Sequence, residues 1–195
     1  MYNFIDNKDN QVIGVYSGFT INLTYGGDTT YPSPINCEHT IPQSFFNKLE
    51  PMKSDLHHLF PVYGNWNSIR NNYKFGDIED SKTTTWIYLD KKQNDIPNND
   101  VINLFSEYYN KIFEPREDHK GNVARAIFYF YTMYPTEAGN IDDVGNIDTL
   151  YKWHLNDPVD QDEKERNRLI GNYQGNRNPY IDFPDAVAIA FDLIN

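Results

Sequence analysis

The chain has a single cysteine, no long apolar run and few positive charges. Cys37 alone cannot form an internal disulfide and leaves the redox compartment undecided. No apolar run approaches the roughly 20 residues that a membrane-spanning helix needs. At the start of the sequence, no charged segment leads into an apolar one. Two alternatives follow: an intracellular protein, or an exported one whose signal peptide has been removed.

Positive charge is scarce, since 17 Lys and Arg stand against 28 Asp and Glu and the net charge is −11. Nucleic-acid-binding proteins usually carry a basic surface, so this balance argues against that class. The charge is uneven, however: residues 136–163 contain eight acids and one base, and residues 164–178 contain four bases and one acid. An acidic enzyme can still bind nucleic acid when its bases line one cleft. A bound metal ion also adds positive charge where it is needed.

The length of 195 residues suits a single domain, and its core should be bulky because 15% of the residues are aromatic. Apolar patterning predicts strands over residues 11–18 and 55–61 and a short helix over residues 65–72. Residues 77–97 are polar and predict loop or edge structure. The part from about residue 99 to 195 is predicted to be mainly helical, with helices over residues 100–113, 120–134, 149–155, 157–173 and 182–194.

Groups able to bind a metal ion, move a proton and contact a phosphate are concentrated between Glu38 and Gly76, where three of the five histidines lie. Glu38 and His39 come just before Ile41-Pro42, which predicts the end of a strand or an irregular loop. Adjacent residues of a strand point to opposite faces. Both side chains therefore cannot ligate one ion without a bulge, and this geometry favours different roles.

Phosphodiester hydrolysis needs an activated water, neutralised phosphoryl oxygens and help for the leaving oxygen. His39 suits the role of base, because the usual pKa of imidazole lies near ~6.5. Glu38 and Asn67 suit a hard cation, because Mg²⁺ prefers oxygen ligands and keeps several waters. Arg70 shares a helical face with Asn67 and could donate a forked pair of hydrogen bonds to a phosphate.

Other interpretations of these residues stay open. Cys37, His39, His57 and His58 could hold a structural zinc ion, although the usual paired spacing is missing. His57 and His58 are better explained as one core and one surface histidine. Asp55 could simply cap or orient a neighbour. The alternative function is therefore a nucleic-acid-binding or zinc-binding module without turnover.

The tryptophans and the remaining arginines also have simple interpretations. The tryptophans fit a core better than a base-stacking surface: Trp66, Trp86 and Trp153. Arg125 is either a surface cation or a phosphate clamp. Three later arginines fit solvated or ion-paired faces: Arg166, Arg168 and Arg177.

Four blocks of residues, which follow one another along most of the chain, resemble the endonuclease I family of bacterial and secreted nucleases, within the ββα-metal (His-Me finger) group. The blocks are Glu38-His39 with Pro42 and Ser44; Met52 to Pro61 with Asn67-x-x-Arg70-x-Asn72; Phe113 to Arg125; and Trp153 to Val159 with Arg166-Asn167 and Gln174 to Pro179. Agreement over four blocks is more specific than any single motif.

The resemblance implies a mixed α+β fold with a ββα-metal core over about residues 36–76, surrounded by helices. It implies non-specific cleavage of DNA, and often of RNA, to products with 5′-phosphates. His39 would be the general base, Glu38 and Asn67 the ligands of one Mg²⁺ or Ca²⁺ ion, and Arg70 a phosphate contact. Family members that contain several cysteines use disulfides, which this chain lacks.

The resemblance also extends to residues around this centre. Arg125 and Arg177 match the later arginines of the family and, with Asn72, are predicted to contact substrate. Asp55, His57 and His58 are predicted to support the site. Members are usually secreted or periplasmic, which favours a removed signal peptide. We expect DNA and RNA as partners, no membrane association and a monomer.

Overall fold

The computed structural model describes residues 1–27 and 34–193. The strands are β1 Gln11–Ile13, β2 Thr20–Asn22, β3 Ile35–His39, β4 Leu59–Tyr63, β5 Lys74–Phe75, β6 Thr85–Tyr88, β7 Lys91–Gln93, β8 Ser106–Tyr109 and β9 Ile112–Glu114. The helices are α1 Gly64–Arg70, α2 Lys120–Met133, α3 Ile147–Asn156, α4 Gln161–Gln174, α5 Pro179–Asp182 and α6 Ala186–Ala190. This mixture confirms the predicted α+β class.

The chain divides into two compact units. The first contains Met1–Glu38 and Phe60–His119, and the second contains His39–Leu59 and Lys120–Asn195. One boundary falls between Glu38 and His39, the two residues on which the predicted site is centred. The organisation of residues 1–195 as one domain stays a prediction.

A five-stranded sheet, in the order β5-β9-β8-β6-β7, dominates the first unit. Its inner strand β6 buries Trp86 and Ile87 completely. The prediction of loop or edge structure for residues 77–97 is therefore wrong for β6, because two large apolar residues in a polar segment are enough for a short central strand. Within residues 77–97, β7 is an edge strand, as predicted.

The helix predicted over residues 100–113 is wrong, because this segment forms the β8–β9 hairpin. Tyr108 pairs with Phe113 across the two strands. Asn110 and Lys111 form the two-residue turn, and both have positive φ, at 44° and 66°. Positive φ at both central residues is the geometry that matches the twist of a tight hairpin. The apolar residues of this segment are also spaced as in a helix, but the turn geometry favours the hairpin.

Strands β3 and β4 pair as a two-stranded sheet, and α1 follows β4 directly. These three elements have the order strand, strand, helix. The strand predicted over residues 55–61 begins late, because Leu56–His58 forms a 3-10 turn capped by the Asp55 side chain. The predicted 11–18 strand is likewise shorter and ends at Ile13.

Helix α2 is the central element of the second unit and packs against α3. Every residue from Val123 to Phe130 is buried, so the helix predicted over residues 120–134 is confirmed. The helix predicted over residues 149–155 is confirmed as α3. Helix α4 ends at Gly175, with φ of 87°, as predicted.

Two helix boundaries differ from the prediction. Helix α4 begins after Asp160, whose side chain accepts from the Glu163 backbone N–H, and not at Asp157-Pro158. The helix predicted over residues 182–194 begins late: α5 already ends at Asp182, Pro184 cannot donate a backbone hydrogen bond, and the shorter α6 follows from Ala186 to Ala190. Residue 194 lies outside the described residues. In the described part of the chain, no helix is both long and apolar enough to cross a bilayer.

Candidate metal and catalytic site

Glu38, near the end of β3, carries a carboxylate into the interior of the first unit, where its exposed fraction is 2%. The Tyr16 hydroxyl donates to Oε1 at 2.8 Å. Arg70 Nε lies 3.2 Å from the same oxygen, which is an ion-pair contact and not an aligned hydrogen bond. Both contacts fall on Oε1, so Oε2 is the carboxylate oxygen that remains for a cation.

Burial raises the pKa of Glu38, whereas the Arg70 charge and the Tyr16 hydrogen bond oppose this change. Burial also raises the pKa of Tyr16 well above its usual value, and the Glu38 charge adds to the effect. Tyr16 therefore remains a hydroxyl donor at neutral pH. A buried carboxylate is costly unless paired, and a bound divalent cation would compensate its charge further.

Asn67 lies on α1, where its Nδ2 donates to the Cys37 carbonyl at 3.2 Å. Because the amide nitrogen is used by that carbonyl, Oδ1 is the atom left for a metal ion. Cys37 directly precedes Glu38, so one backbone segment connects the two predicted ligands. A carboxylate oxygen and an amide oxygen form a donor set that suits Mg²⁺ or Ca²⁺ with water completing the shell. The residues present therefore fit the predicted ion.

Arg70 shares the α1 face with Asn67, as predicted, but its side chain is 1% exposed. Its guanidinium lies over the Phe75 ring, 4.5 Å from the centroid, and donates to the Asn71 carbonyl at 2.7 Å. This position directs the charge of Arg70 to Glu38 and does not favour the predicted phosphate contact. Asn72, by contrast, is exposed.

His39 belongs to the second unit and is half-buried. Its Nε2 lies 2.9 Å from the Lys53 carbonyl oxygen, and the Gln43 side-chain nitrogen lies 3.2 Å from its Nδ1. A carbonyl oxygen can only accept, so Nε2 carries the proton. The Gln43 amide nitrogen donates, so Nδ1 holds the lone pair. These contacts favour the His39 tautomer that has its proton on Nε2 and its lone pair on Nδ1.

Both His57 and His58 are buried, with exposed fractions of 3% and 0%. The prediction of one core and one surface histidine is therefore wrong. His57 Nε2 donates to the Asn176 carbonyl at 3.0 Å, and His58 Nε2 donates to the Met52 carbonyl at 2.6 Å. Burial lowers the pKa of both rings, and that of His58 falls to about 4. Both are neutral at pH 7.

The described residues contain no group of three or more His, Cys, Asp and Glu side chains that could hold a metal ion. The proposed zinc set of Cys37, His39, His57 and His58 therefore lacks support. Asp55 accepts from the His57 backbone N–H at 3.0 Å and caps the turn that follows, which agrees with its interpretation as a capping residue.

Arg125 is 1% exposed and forms an internal ion pair with Glu163, with Nε 2.7 Å from Oε1. It also donates to the Asp157 carbonyl at 2.8 Å. The surface-cation alternative for Arg125 is therefore wrong. Its guanidinium is committed to internal acceptors, and this arrangement does not favour the predicted substrate contact.

Arg177 is 41% exposed and pairs with Asp182. With Lys164 and Arg168 it lines an open groove of about 380 Å³ in the second unit. Arg168 pairs with Glu165 at 2.6 Å. The ion-paired interpretation of Arg168 and Arg177 is therefore confirmed. Arg166 instead donates to two backbone carbonyls, of Leu56 and Leu59.

The sequence did not single out two residues of this site. Tyr16 contacts Glu38 from 22 residues earlier, and no local spacing reveals such a contact. Gln43 follows His39 by four residues and could have been found as its neighbour. The three tryptophans are buried, which confirms their place in the core.

Known proteins of one family are similar to this chain over most of its length. The family model described as Endonuclease I matches residues 2–185. The chain belongs to the endonuclease I family.

Several relatives of this endonuclease I family member are known by name. An extracellular ribonuclease of Bacillus amyloliquefaciens is 35% identical over 149 residues, which cover 68% of this chain and 44% of the relative. An extracellular ribonuclease of Bacillus subtilis strain 168 is 33% identical over 169 residues, 77% of this chain and 51% of the relative. A periplasmic deoxyribonuclease of Aeromonas hydrophila is 32% identical over 137 residues, which cover 70% of this chain and 49% of the relative. The chain thus spans about half the length of these relatives.

Replacement of His58 by glutamine should reduce the loss of stability on acidification. The unfolded His58 has its ordinary pKa near ~6.5, and its folded pKa is about 4. Between these values the unfolded chain binds more protons, so the free energy of unfolding falls as the pH falls. From pH 7 to pH 5 this histidine should account for about 2 kcal/mol. Urea unfolding of the wild type and His58→Gln at both pH values measures the difference. Equal losses in the two proteins would show that His58 is not held neutral.

Proposed function

We propose that this endonuclease I family member is a metal-dependent endonuclease that hydrolyses DNA and RNA without sequence specificity and leaves 5′-phosphate ends. One observation carries the proposal. The buried Glu38 carboxylate and the Asn67 amide are linked through the Cys37 carbonyl, and the residue after Glu38 is a histidine whose contacts favour a lone pair on Nδ1.

Glu38 Oε2 and Asn67 Oδ1 would hold one Mg²⁺ or Ca²⁺ ion. When bound, the ion supplies Lewis-acid stabilisation of charge on the phosphoryl and leaving oxygens. Arg70 and Tyr16 hold the carboxylate in place through its other oxygen. Orientation of a ligand by a second layer of contacts is a common feature of metal sites.

His39 Nδ1 would take a proton from the attacking water once that water replaces the Gln43 amide as the donor to this nitrogen, since a positioned imidazole is an effective base near neutral pH. The Lys53 carbonyl holds the Nε2 proton during this step and keeps the ring in one orientation. Asn72 and Arg177 are both exposed, and we retain them as proposed substrate contacts.

The relatives support both kinds of substrate and a location outside the cytoplasm. Their names include extracellular ribonuclease and periplasmic deoxyribonuclease. We extend both activities, and secretion or export to the periplasm, to this chain as parts of the proposal. We also propose that the chain acts as a monomer.

Replacement of His39 by alanine should lower nucleic-acid cleavage by about 10²–10⁴-fold, the usual contribution of a general base. Supercoiled plasmid and a structureless RNA are incubated with Mg²⁺ or Ca²⁺, with and without chelator. Wild-type protein should cleave both substrates only when metal is present. The other histidines are buried, so no exposed histidine provides a matched variant and circular dichroism must show that His39→Ala folds. Intact plasmid with every metal, or full activity in His39→Ala, would contradict the proposal.

Replacement of Glu38 by glutamine, or of Asn67 by alanine, should weaken divalent-metal binding about tenfold or more. The control is Asn65→Ala, because Asn65 is an exposed amide on the same helix α1. Binding of Mn²⁺, followed by electron paramagnetic resonance without nucleic acid, separates metal affinity from activity. Equal affinities in all three variants would place the ion elsewhere.

A further inference from the structure

The Lys53 carbonyl determines which nitrogen of His39 carries the proton, and it lies in the short turn Met52–Ser54. His58 Nε2 holds the first residue of this turn by donating to the Met52 carbonyl at 2.6 Å. The backbone N–H of Asp55 closes the turn on the same carbonyl at 3.3 Å. The position of the Lys53 carbonyl therefore depends on the residues that follow it.

Asp55 ends the turn, and its carboxylate is buried with four hydrogen-bond donors. Oδ2 accepts from the hydroxyls of Tyr129 and Tyr134 at 2.8 and 2.6 Å. Oδ1 accepts from the Gln174 side chain at 2.8 Å and from the His57 backbone at 3.0 Å. Tyr129 belongs to α2, Tyr134 directly follows it, and Gln174 ends α4. One carboxylate thus attaches the turn to two helices.

The chain just after Asp55 is attached to the same helix α4. The Gln174 side-chain oxygen accepts from the Leu56 backbone N–H at 2.8 Å. Arg166 donates to the carbonyls of Leu56 and Leu59 at 3.2 and 2.5 Å. These contacts leave the segment from Met52 to Leu59 little freedom to move relative to the helices.

The protonation states of Asp55 and of its two tyrosine partners agree with Asp55 as a fixed hydrogen-bond acceptor. Burial would raise the pKa of Asp55, but the hydrogen bonds from Tyr134, Gln174, His57 and Tyr129 outweigh it and lower the pKa. Burial raises the pKa of both tyrosines, and the Asp55 carboxylate adds to this. At neutral pH the carboxylate is therefore charged, and both hydroxyls remain donors.

We infer that Asp55 and Tyr134 are positioning residues for His39. Together they hold the Met52–Ser54 turn so that the Lys53 carbonyl accepts the Nε2 proton, and Nδ1 keeps the lone pair. The catalytic consequence rests on the proposed function of His39 as a base, whereas the position of the proton does not. Neither residue touches the reacting atoms, so both act through the turn.

Replacement of Tyr134 by phenylalanine tests this inference, because Tyr134 is half-buried and loses a single hydroxyl. The matched control is Tyr131→Phe. Tyr131 is also half-buried and near the end of α2, and its hydroxyl donates to the Asn140 carbonyl at 3.0 Å. Both variants lose one tyrosine hydrogen bond, but only the first loses a contact with Asp55.

Nitrogen-15 NMR of the His39 ring, in the full chain without nucleic acid, measures the share of each tautomer. Cleavage of a short duplex gives kcat and KM separately. In Tyr134→Phe we expect a larger share of the Nδ1–H tautomer and about a tenfold lower kcat, with KM unchanged, because a general base contributes about 10²–10⁴-fold and is only partly lost. Tyr131→Phe should match the wild type in both measurements.

Gln174→Met provides a second variant, which removes a donor from the other Asp55 oxygen and should change the tautomer in the same direction. Wild-type tautomer shares in both Tyr134→Phe and Gln174→Met would overturn the inference. If Tyr131→Phe changed the tautomer shares as much as Tyr134→Phe, the inference would also be overturned, because the change would then reflect a general loosening of α2. If the tautomer changes as expected but no protein cleaves nucleic acid, the positioning role stands and the proposed function fails.

Discussion

The negative charge of Glu38 is buried in the first unit, and its compensation is the constraint on which the candidate site depends. A buried carboxylate is tolerated only when cations or hydrogen-bond donors face it. Tyr16 and Arg70 both contact Oε1. This one-sided arrangement stabilises the carboxylate in a fixed orientation and leaves its second oxygen for another partner. Asn67, fixed through the Cys37 carbonyl, offers an amide oxygen from the neighbouring helix.

The second unit contains a buried carboxylate of a different kind. Asp55 uses both of its oxygens for four protein donors, so no oxygen is left over for a ligand. The direction of the pKa change follows this difference, because the pKa of Asp55 is lowered and that of Glu38 is raised. A fully hydrogen-bonded carboxylate stabilises structure, whereas a partly compensated one favours binding of a cation. We therefore propose separate roles for the two residues: Asp55 orients the histidine turn and Glu38 holds the ion.

The sequence predicted features that depend on local patterns. Short-range spacing is enough to predict four features of the structure. They are the end of β3 at Glu38-His39, the shared α1 face of Asn67 and Arg70, helix α2, and the end of α4 at Gly175. The β8–β9 hairpin was missed because its apolar residues also fit a helix, and Asn110-Lys111 is not a common turn pair. Contacts between residues far apart in the chain could not be predicted from the sequence. Nothing near Arg125 in the chain indicates Glu163, and nothing near Glu38 indicates Tyr16. The burial of both His57 and His58 depends on packing that no adjacent residue reveals.

Cleavage of RNA in water enriched in oxygen-18 tests the central claim most directly, since it identifies the nucleophile and the bond that breaks. The proposed role of His39 requires water to attack phosphorus. Mass spectrometry should therefore find one oxygen-18 atom in the new 5′-phosphate and a 3′-hydroxyl on the other fragment, in reactions that stop when a chelator is added. Products with 2′,3′-cyclic or 3′-phosphates, formed with or without chelator, would show that the ribose hydroxyl is the nucleophile. That result would contradict the account of Glu38, Asn67 and His39 as a metal-assisted hydrolytic site.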